Sequence, residues 1–251
     1  MRILLTGMKG TLAPVVAEHL RAQGSETVAW DRSSVDPENI SISTAFLERT
    51  QPEAIVHLAM GSESWAARLA AYARTTDVPL LFTSTAMVFN HHPDGPHRPQ
   101  DLRSAQDDYG RYKVRCEDAV LKAHPGAIIA RIGWQIDPSG RGNNMLAQLE
   151  AQQQQQGHIQ VSEQWIPACS FMADTAAALY TLLERNIPGT YHLDSNALEA
   201  HPFARIVAAL SGHFGRGWTL EHTADYRHDQ RLIGHETLMP PLSSRLPELG
   251  V

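Results

Sequence analysis

The strongest constraint on the fold lies at the start of the chain, where a short apolar run ends in a glycine and a helix follows at once. Residues 2–6, RILLT, are long enough for one buried strand, and Gly7 ends the run. From Thr11 to Arg21 the apolar side chains recur at helical spacing, and Gly24 closes the segment. A strand that turns directly into a helix is typical of an α/β chain built on a parallel sheet.

The same alternation continues through the first half of the chain. Runs that are apolar on both faces are typical of a parallel sheet with helices on both sides, and right-handed crossovers then give a Rossmann-type doubly wound arrangement. We therefore expect residues 1–133 to form a Rossmann domain. Its further predicted elements are strands at 26–30, 54–59, 79–85 and 127–133 and helices at 44–49, 65–74 and 107–123.

The second half is less regular. We expect residues 134–251 to form a small C-terminal lobe over the carboxyl edge of the sheet, where open α/β sheets bind ligands, with part of 160–190 packing back on the first domain. The five glutamines at 152–156 are interpreted as an exposed helix end or a loop. The other predicted elements are helices at 170–185 and 201–212 and a strand at 189–195.

Composition argues against several classes of function. Apolar residues make up 43% of the chain, enough for a core, and the formal charge of −6 without a basic run disfavours binding to nucleic acid or to an anionic membrane. Cys116 and Cys169 lack CxxC spacing and are interpreted as reduced thiols, and the scattered histidines predict no metal site. The first apolar run is too short for a signal peptide, and no run approaches the ~20 residues that span a bilayer, so we expect a soluble, cytoplasmic protein.

The segment TGMKGTLA, residues 6–13, has the features of a phosphate-binding turn. The first glycine permits a tight turn, and the second lets the backbone approach a pyrophosphate at the N-terminus of the next helix. The spacing is TGxxGxxA instead of GxGxxG, and a Gly-x-x-Gly pair alone is most often only a turn. Its place between the first strand and a helix favours dinucleotide binding. The predicted cofactor contacts of this turn are Gly7, Lys9, Gly10, Thr11 and Leu12.

Asp31 ends the second predicted strand, 24 residues after Gly7. A carboxylate at this position can accept hydrogen bonds from the adenosine ribose hydroxyls, which favours NAD. Arg32 follows immediately and could instead bind a 2′-phosphate, which favours NADP. An Asp that merely opens a loop is an equally good interpretation of Asp31, so the choice between NAD and NADP stays open.

Thr85, Tyr109 and Lys113 form the candidate catalytic set. Thr85 ends a strand at the ligand edge of the sheet, and Tyr109 and Lys113 are four residues apart on one helix face. Carbonyl reduction needs a proton donor, a cation that lowers the pKa of that donor, and a hydroxyl that polarises the carbonyl. A YxxxK pair alone is usually a solvated helix face, but behind a dinucleotide-binding turn it indicates an active site.

These residues together resemble the extended short-chain dehydrogenase/reductase superfamily, and within it the dTDP-4-dehydrorhamnose reductase-like, sugar-nucleotide-binding family. The likeness covers nearly the whole chain. The matching segments are TGMKGTLA, AWDRSSVD, IVHLA, FTSTAMVFN, YGRYKVRCE, ARIGW and GTYHLDS.

The resemblance implies a role for each matching residue. Thr85 would polarise the carbonyl, Tyr109 would supply the proton, and Lys113 would hold the nicotinamide ribose and tune Tyr109. Leu58 and Ala59 would line the cofactor, which is NAD or NADP.

The substrate side departs from the family pattern. The family usually reads Ser-Thr-Asp-Tyr-Val-Phe where this chain has Ala86 and Met87 in place of the Asp-Tyr pair. Two polar groups near the sugar are thereby lost, so dTDP-4-dehydrorhamnose itself is in doubt as the substrate. Trp134, after ARIG, would sit near the sugar, and a core aromatic is an equally good interpretation of it.

The resemblance implies an NAD(P)-dependent reductase of a keto group on a nucleotide-linked sugar or a related small substrate. A sugar-nucleotide epimerase or dehydratase and a non-catalytic NAD(P)-binding regulatory subunit remain as alternatives. Dimerisation through the helix that carries Tyr109 is common among superfamily members, so the resemblance also implies a homodimer here. The exposed face predicted for that helix, with Arg111, Arg115 and Glu117, could equally be solvated.

Overall fold

The computed structural model describes residues 1–92, 94–140 and 142–250. Its helices are α1 (Leu12–Ala22), α2 (Ile40–Thr50), α3 (Glu63–Thr76), α4 (Asp108–Ala123), α5 (Met145–Gln156), α6 (Met172–Arg185) and α7 (Phe203–His213). Its strands are β1 (Arg2–Thr6), β2 (Glu26–Ala29), β3 (Ala54–His57), β4 (Leu80–Thr85), β5 (Ile128–Ile132), β6 (Trp134–Ile136), β7 (Ile159–Ser162), β8 (Trp165–Ile166), β9 (Cys169–Phe171), β10 (Gly189–Leu193), β11 (Leu220–Thr223) and β12 (His228–Asp229).

A six-stranded parallel sheet forms the centre of the fold, with the strand order β10-β5-β4-β3-β1-β2. The chain starts inside the sheet at β1, runs outward to β2, and crosses back to β3 on the other side of β1. The connections therefore reverse direction beside β1, and this reversal opens a crevice at the carboxyl ends of the strands. The Rossmann-type doubly wound sheet predicted from the sequence is confirmed.

Helices cover both faces of this sheet. Along β1 the side chains alternate, so Ile3 and Leu5 join the apolar cluster under α1 and α6, whereas Leu4 joins the cluster under α3 and α4. All three side chains are fully buried. A strand buried on both faces explains why the N-terminal run is apolar throughout.

The second half of the chain contributes to two packing units. Helix α6 packs against α1, and β10 pairs with β5 at the edge of the central sheet. The remaining elements surround a separate apolar cluster that includes Leu149, Ile206 and Trp218. Short parallel pairs, β6 with β9, β7 with β11 and β8 with β12, hold this part together. The domain boundary at residue 133 stays a prediction.

Capping residues place helix ends that periodicity alone does not. Helix α2 begins at Ile40, four residues before the predicted start, because the Asn39 side chain accepts the Ile42 N–H at 3.1 Å. The glutamine tract 152–156 forms the last turns of α5, which confirms the helix-end interpretation and excludes the loop.

Glu117 on α4 corrects the prediction of an exposed helix face. Only 1% of this residue is exposed, and its carboxylate accepts hydrogen bonds from Arg131 Nε and Nη2 at 2.9 and 2.8 Å and from Arg103 Nη1 at 3.1 Å. Two guanidinium groups compensate the buried charge. Arg131 lies on β5 and Arg103 in the loop before α4, so the helix sequence alone does not show this burial. The homodimer stays a prediction.

Within the three described ranges, no helix combines the length and the apolar character needed to cross a bilayer.

Candidate functional site

Three adjoining cavities form the crevice at the carboxyl edge of the sheet. The first cavity, about 710 Å³, lies beside the glycine turn and the end of β2. The central cavity, about 290 Å³, shares Gly7 and Leu58 with the first. The outer cavity, about 480 Å³, shares Tyr109 and Gln135 with the central one. The crevice therefore runs continuously from the glycine turn past Tyr109.

The glycine turn fits closely against the loop after β3. Gly7 has φ +88°, and a Cβ added to it would lie 3.0 Å from the Ala59 nitrogen and 3.1 Å from the Leu58 carbonyl carbon. The Gly10 N–H donates to the Gly7 carbonyl at 2.7 Å and closes the turn. Because glycine has no Cβ, the turn and the loop after β3 can approach this closely, and together they wall the first two cavities.

Thr6 and His57, which the sequence analysis did not single out, fix the loop opposite the turn. The Thr6 hydroxyl accepts the N–H groups of Leu58 and Ala59, each at 3.0 Å, and shares a 2.7 Å hydrogen bond with His57 Nδ1. Both side chains are buried. Their position in the sequence could have pointed to this role, because each is the last residue of a strand whose carboxyl end borders the crevice.

The N-terminus of α1 is open to the crevice. Thr11 stands at the cap position but does not cap the helix, because its hydroxyl accepts the Asn143 N–H at 3.0 Å instead. The first turn also contains no acidic side chain. The backbone N–H groups of this turn and the positive end of the helix dipole are therefore suited to bind an anion, and the phosphate contact itself stays a prediction.

Asp31, Arg32 and Lys9 line the far end of the first cavity. The Asp31 carboxylate accepts hydrogen bonds from the Ser33 hydroxyl at 2.6 Å and the Ser33 N–H at 3.0 Å, and it lies 3.3 Å from Lys9 Nζ. The hydrogen bonds from Ser33, aided by Lys9, hold the Asp31 pKa well below its ordinary value. Arg32 Nη1 donates to the Met60 carbonyl at 3.2 Å.

The three candidate catalytic residues lie together where the central and outer cavities meet. Tyr109 and Thr85 both line the outer cavity, and 40% of Tyr109 is exposed. Lys113 lies one turn further along α4 and is 3% exposed. Its ammonium donates to the Thr83 carbonyl at 2.9 Å and lies 4.9 Å from the centre of the Phe82 ring.

Burial shifts the pKa values of both α4 residues. Partial burial raises the pKa of Tyr109 above its ordinary value, the neighbouring Thr85 hydroxyl opposes this effect, and the nearby Asp107 charge adds to it. Burial also lowers the pKa of Lys113 to about 8. The expected lowering of the Tyr109 pKa by Lys113 is not found in this arrangement, because Lys113 directs its ammonium at Thr83.

We expect the burial of Lys113 to make the stability of the cofactor-free protein pH-dependent. The unfolded chain binds a proton at Lys113 up to its ordinary pKa of 10.5, whereas the folded chain loses it near pH 8, so stability rises as the pH increases through this interval. This lowering of the Lys113 pKa corresponds to about 3 kcal/mol of folding free energy, and below pH 8 the folded protein is destabilised by the whole amount. Urea unfolding should show Lys113→Met more stable than the parent at pH 7.5 and the difference shrinking toward pH 10. A difference that does not vary with pH would contradict this expectation.

Two buried polar atoms in the crevice have no hydrogen-bond partner among the described residues. They are Ser84 Oγ, in the central cavity, and Gln135 Oε1, between the central and outer cavities. Buried polar groups in native proteins are almost always paired, so these two atoms are suited to contact a ligand. The sequence pattern gave no sign of Gln135, which follows Trp134 in the short strand β6.

Aromatic side chains from separate segments form one wall of the outer cavity. The rings of Trp134 and Trp165 are stacked with centroids 6.1 Å apart, and Tyr226 meets Trp165 edge-on at 5.5 Å. Trp134 thus lines the cavity and also packs against Phe203, 6.0 Å away, and its contact with a sugar stays a prediction. Trp165 and Tyr226 were missed because each lies in a loop-rich segment without a motif.

Ala86 and Met87 also line the outer cavity. Ala86 is buried, and Met87 is partly exposed with its sulfur accepting a hydrogen bond from Gln230 Nε2 at 3.4 Å. These two residues therefore leave an apolar surface next to Tyr109. In the part of the chain that the structure describes, no group of three or more His, Cys, Asp or Glu side chains is placed to hold a metal ion.

Comparison with known proteins identifies relatives of the chain. The family model described as the RmlD substrate binding domain matches residues 62–228. A dTDP-4-dehydrorhamnose reductase of Mycolicibacterium smegmatis is 25% identical over 83% of this chain and 68% of its own length. A second, of Mycobacterium tuberculosis, is 30% identical over 44% of this chain and 37% of its own length, so the match spans just over a third of that relative.

A solved structure has the same fold along the whole chain. The dTDP-4-dehydrorhamnose reductase of Bacillus anthracis, in complex with NADP, is similar with a TM-score of 0.83 and 19% identity, and the match covers 99% of this chain and 98% of that one.

Proposed function

We propose that this chain, which belongs to the RmlD substrate binding domain family within the extended short-chain dehydrogenase/reductase superfamily, is an NAD(P)-dependent reductase. Its substrate would carry a keto group on a nucleotide-linked sugar or a related small molecule. The observation that carries the proposal is the placement of Thr85, Tyr109 and the buried Lys113 together at the junction of two cavities. The names of the curated relatives, which are dTDP-sugar reductases, support it.

The crevice fits a nicotinamide dinucleotide. The close approach of the backbone at Gly7 and the uncapped N-terminus of α1 suit a pyrophosphate, and the unpartnered Ser84 Oγ offers a polar contact in the central cavity. Asp31 and Arg32 would hold the adenosine end, and Lys113 the ribose near Tyr109. When bound, the cofactor would supply the hydride for the reduction.

The chain's own residues would supply the proton and the orientation. Because its pKa is raised, Tyr109 is protonated at neutral pH, which is the state that donates a proton to a carbonyl oxygen. Thr85, which lines the same cavity as Tyr109, would polarise the same oxygen. Trp134 and Met87 would exclude water from the reacting carbonyl, since both line the outer cavity.

The proposal can be tested by following NADPH and NADH oxidation with a panel of keto-sugars, both free and nucleotide-linked. We expect stoichiometric oxidation of the reduced cofactor with at least one member. Conversion of a sugar nucleotide without net cofactor oxidation would instead indicate an epimerase or dehydratase. Cofactor binding with no conversion across the panel would indicate the regulatory alternative and would overturn the proposal.

We expect NADPH to be preferred over NADH because the first cavity contains two cations, Lys9 and Arg32, and one carboxylate, Asp31. Lys9 and the hydrogen bonds from Ser33 already satisfy Asp31, which leaves Arg32 to bind a 2′-phosphate. Replacing Arg32 with Ala should raise the Kd for NADPH about tenfold and change that for NADH little, since a charged hydrogen bond contributes about 1.5–3 kcal/mol. Arg49→Ala, an exposed substitution on α2, serves as the control in the same fluorescence titration. Tighter NADH binding by the parent would contradict this preference.

A further inference from the structure

The loop of residues 58–61, which follows β3, is held in place by side chains from distant segments. The Thr6 hydroxyl on β1 accepts the first two N–H groups of the loop, each at 3.0 Å. Arg32 Nη1, after β2, donates to the Met60 carbonyl at 3.2 Å. The position of this loop therefore depends on the individual side chains that bind its backbone.

Tyr112, on α4, binds the last residue of the loop, Gly61. Its hydroxyl accepts the Gly61 N–H at 3.0 Å and donates to the Gly61 carbonyl at 2.8 Å. A phenol hydroxyl can donate and accept at the same time, so one side chain pairs with both backbone groups of this residue. Burial raises the pKa of Tyr112, and the hydroxyl therefore keeps the proton that it donates to the carbonyl.

The same turn of α4 carries two of the candidate catalytic residues. Tyr109 lies three residues before Tyr112, and Lys113 follows it directly. The Lys113 ammonium lies 5.9 Å from the centre of the Tyr112 ring and donates to the Thr83 carbonyl on β4 at 2.9 Å. Helix α4 is thus attached to the sheet through Lys113 and to the loop through Tyr112, so the Tyr112 hydroxyl sets the distance between the loop and the helix.

The loop forms part of the wall of both cavities in which the dinucleotide is proposed to lie. Leu58 and Met60 line the first and the central cavity, and Lys113 lines the central cavity from α4. Tyr112 itself is not among the residues that line either cavity. A change in the distance between the loop and α4 would therefore change the shape of the dinucleotide site, although Tyr112 does not touch it.

We infer that Tyr112 is a positioning residue for the dinucleotide, which fixes the loop of residues 58–61 against α4 by binding both backbone groups of Gly61. This inference rests on the proposed function and extends it to a residue that acts only through the loop. Without the hydroxyl, the N–H and the carbonyl of Gly61 lose these partners, and the loop occupies its binding position in only a fraction of the molecules. The apparent affinity for the cofactor falls in proportion to that fraction.

Replacing Tyr112 with Phe tests this role, because it removes the hydroxyl and keeps the ring. We expect the Kd for NADPH to rise about tenfold in a fluorescence titration, since two hydrogen bonds that hold the binding position are lost. With a confirmed substrate, KM for NADPH should rise by about the same factor while kcat at saturating NADPH stays within about threefold, because bound cofactor restores the loop. An unchanged Kd in folded Tyr112→Phe would overturn the inference.

Tyr72→Phe is the matched control. The Tyr72 hydroxyl, on α3, donates to the Leu47 carbonyl at 3.2 Å, so it also joins two elements through a backbone group. Tyr72 lines a separate surface groove between α2 and α3. We expect both substitutions to lower the Tm and only Tyr112→Phe to weaken NADPH binding. Equal weakening by the two variants would assign the effect to lost stability and would overturn the inference.

Hydrogen exchange reports on the loop without any ligand. In the cofactor-free protein, we expect the amides of residues 58–61 to exchange at least about fivefold faster in Tyr112→Phe than in the parent or in Tyr72→Phe, because the loop opens more often. Saturation with NADPH should reduce this difference. Equal exchange rates in the parent and Tyr112→Phe would contradict the positioning role.

Binding and exchange separate this inference from the proposed reduction. If the parent binds NADPH but reduces no keto-sugar, the reduction fails, and the Kd values of the two variants still decide the role of Tyr112. If the parent reduces a keto-sugar and Tyr112→Phe keeps the parent's Kd, KM and exchange rates, the reduction stands and the inference fails. A parent that binds neither NADPH nor NADH would overturn both.

Discussion

Replacing Tyr109 with Phe should lower kcat by about 10²–10⁴-fold while the protein still folds and binds NADPH, because a positioned proton donor contributes about that factor. Tyr109 lies at the meeting point of the central and outer cavities, and removing its hydroxyl deletes the donor and leaves the ring in place. Tyr109 is 40% exposed, and losing its hydroxyl therefore should change the Tm little. Single-turnover kinetics with a confirmed substrate measures the effect directly.

A matched control makes this result specific to the site. Tyr180, on α6, meets His19 edge-on at 5.8 Å and lies outside the crevice, so Tyr180→Phe should leave kcat and KM unchanged. Full turnover by Tyr109→Phe would show that another group supplies the proton. A large loss of NADPH affinity in the same variant would assign Tyr109 to cofactor binding instead.

The parts of the site that follow chain order could be predicted from the sequence. Gly7 and Thr85 each lie at the carboxyl end of a strand, and parallel strands bring those ends to one edge of the sheet. Tyr109 and Lys113 share a helix face because they are four residues apart. Each of these inferences needs only local geometry and the alternation of strands and helices.

The parts that depend on contacts between distant segments could not be predicted. Trp165 and Tyr226 meet because the two-residue strands β8 and β12 pair, and so short a pair leaves no periodicity to read. Glu117 is buried against Arg131 from the neighbouring strand. The sequence of its own helix, α4, is amphipathic and places Glu117 on the polar face, so it does not show this burial. The wall of the outer cavity is likewise assembled from distant segments, since Met87, Trp134 and Gln230 all line it.

Replacing Gly7 with Ala should abolish cofactor binding and destabilise the fold by about 3 kcal/mol or more. Two costs add up here, because alanine disfavours the left-handed backbone and its Cβ overlaps with neighbouring atoms. Gly7 has φ +88°, and its new Cβ would lie 3.0 Å from the Ala59 nitrogen and 3.1 Å from the Leu58 carbonyl carbon. Because both contacts are backbone atoms held by Thr6, the overlap can be relieved only by moving the loop that walls the first two cavities. Isothermal titration with NADPH and urea unfolding measure the two effects.

Gly24 separates the backbone cost from the overlap. It has φ +81° after α1, and nothing lies within 4 Å of a Cβ added there, so Gly24→Ala carries the conformational cost of about 1–2 kcal/mol alone. We expect this control to unfold at lower urea concentration and to bind NADPH with the parent's affinity. If Gly7→Ala lost no more stability than Gly24→Ala and still bound NADPH, the close approach at Ala59 would not be what shapes the cofactor cavity, and the glycine turn would be only a turn.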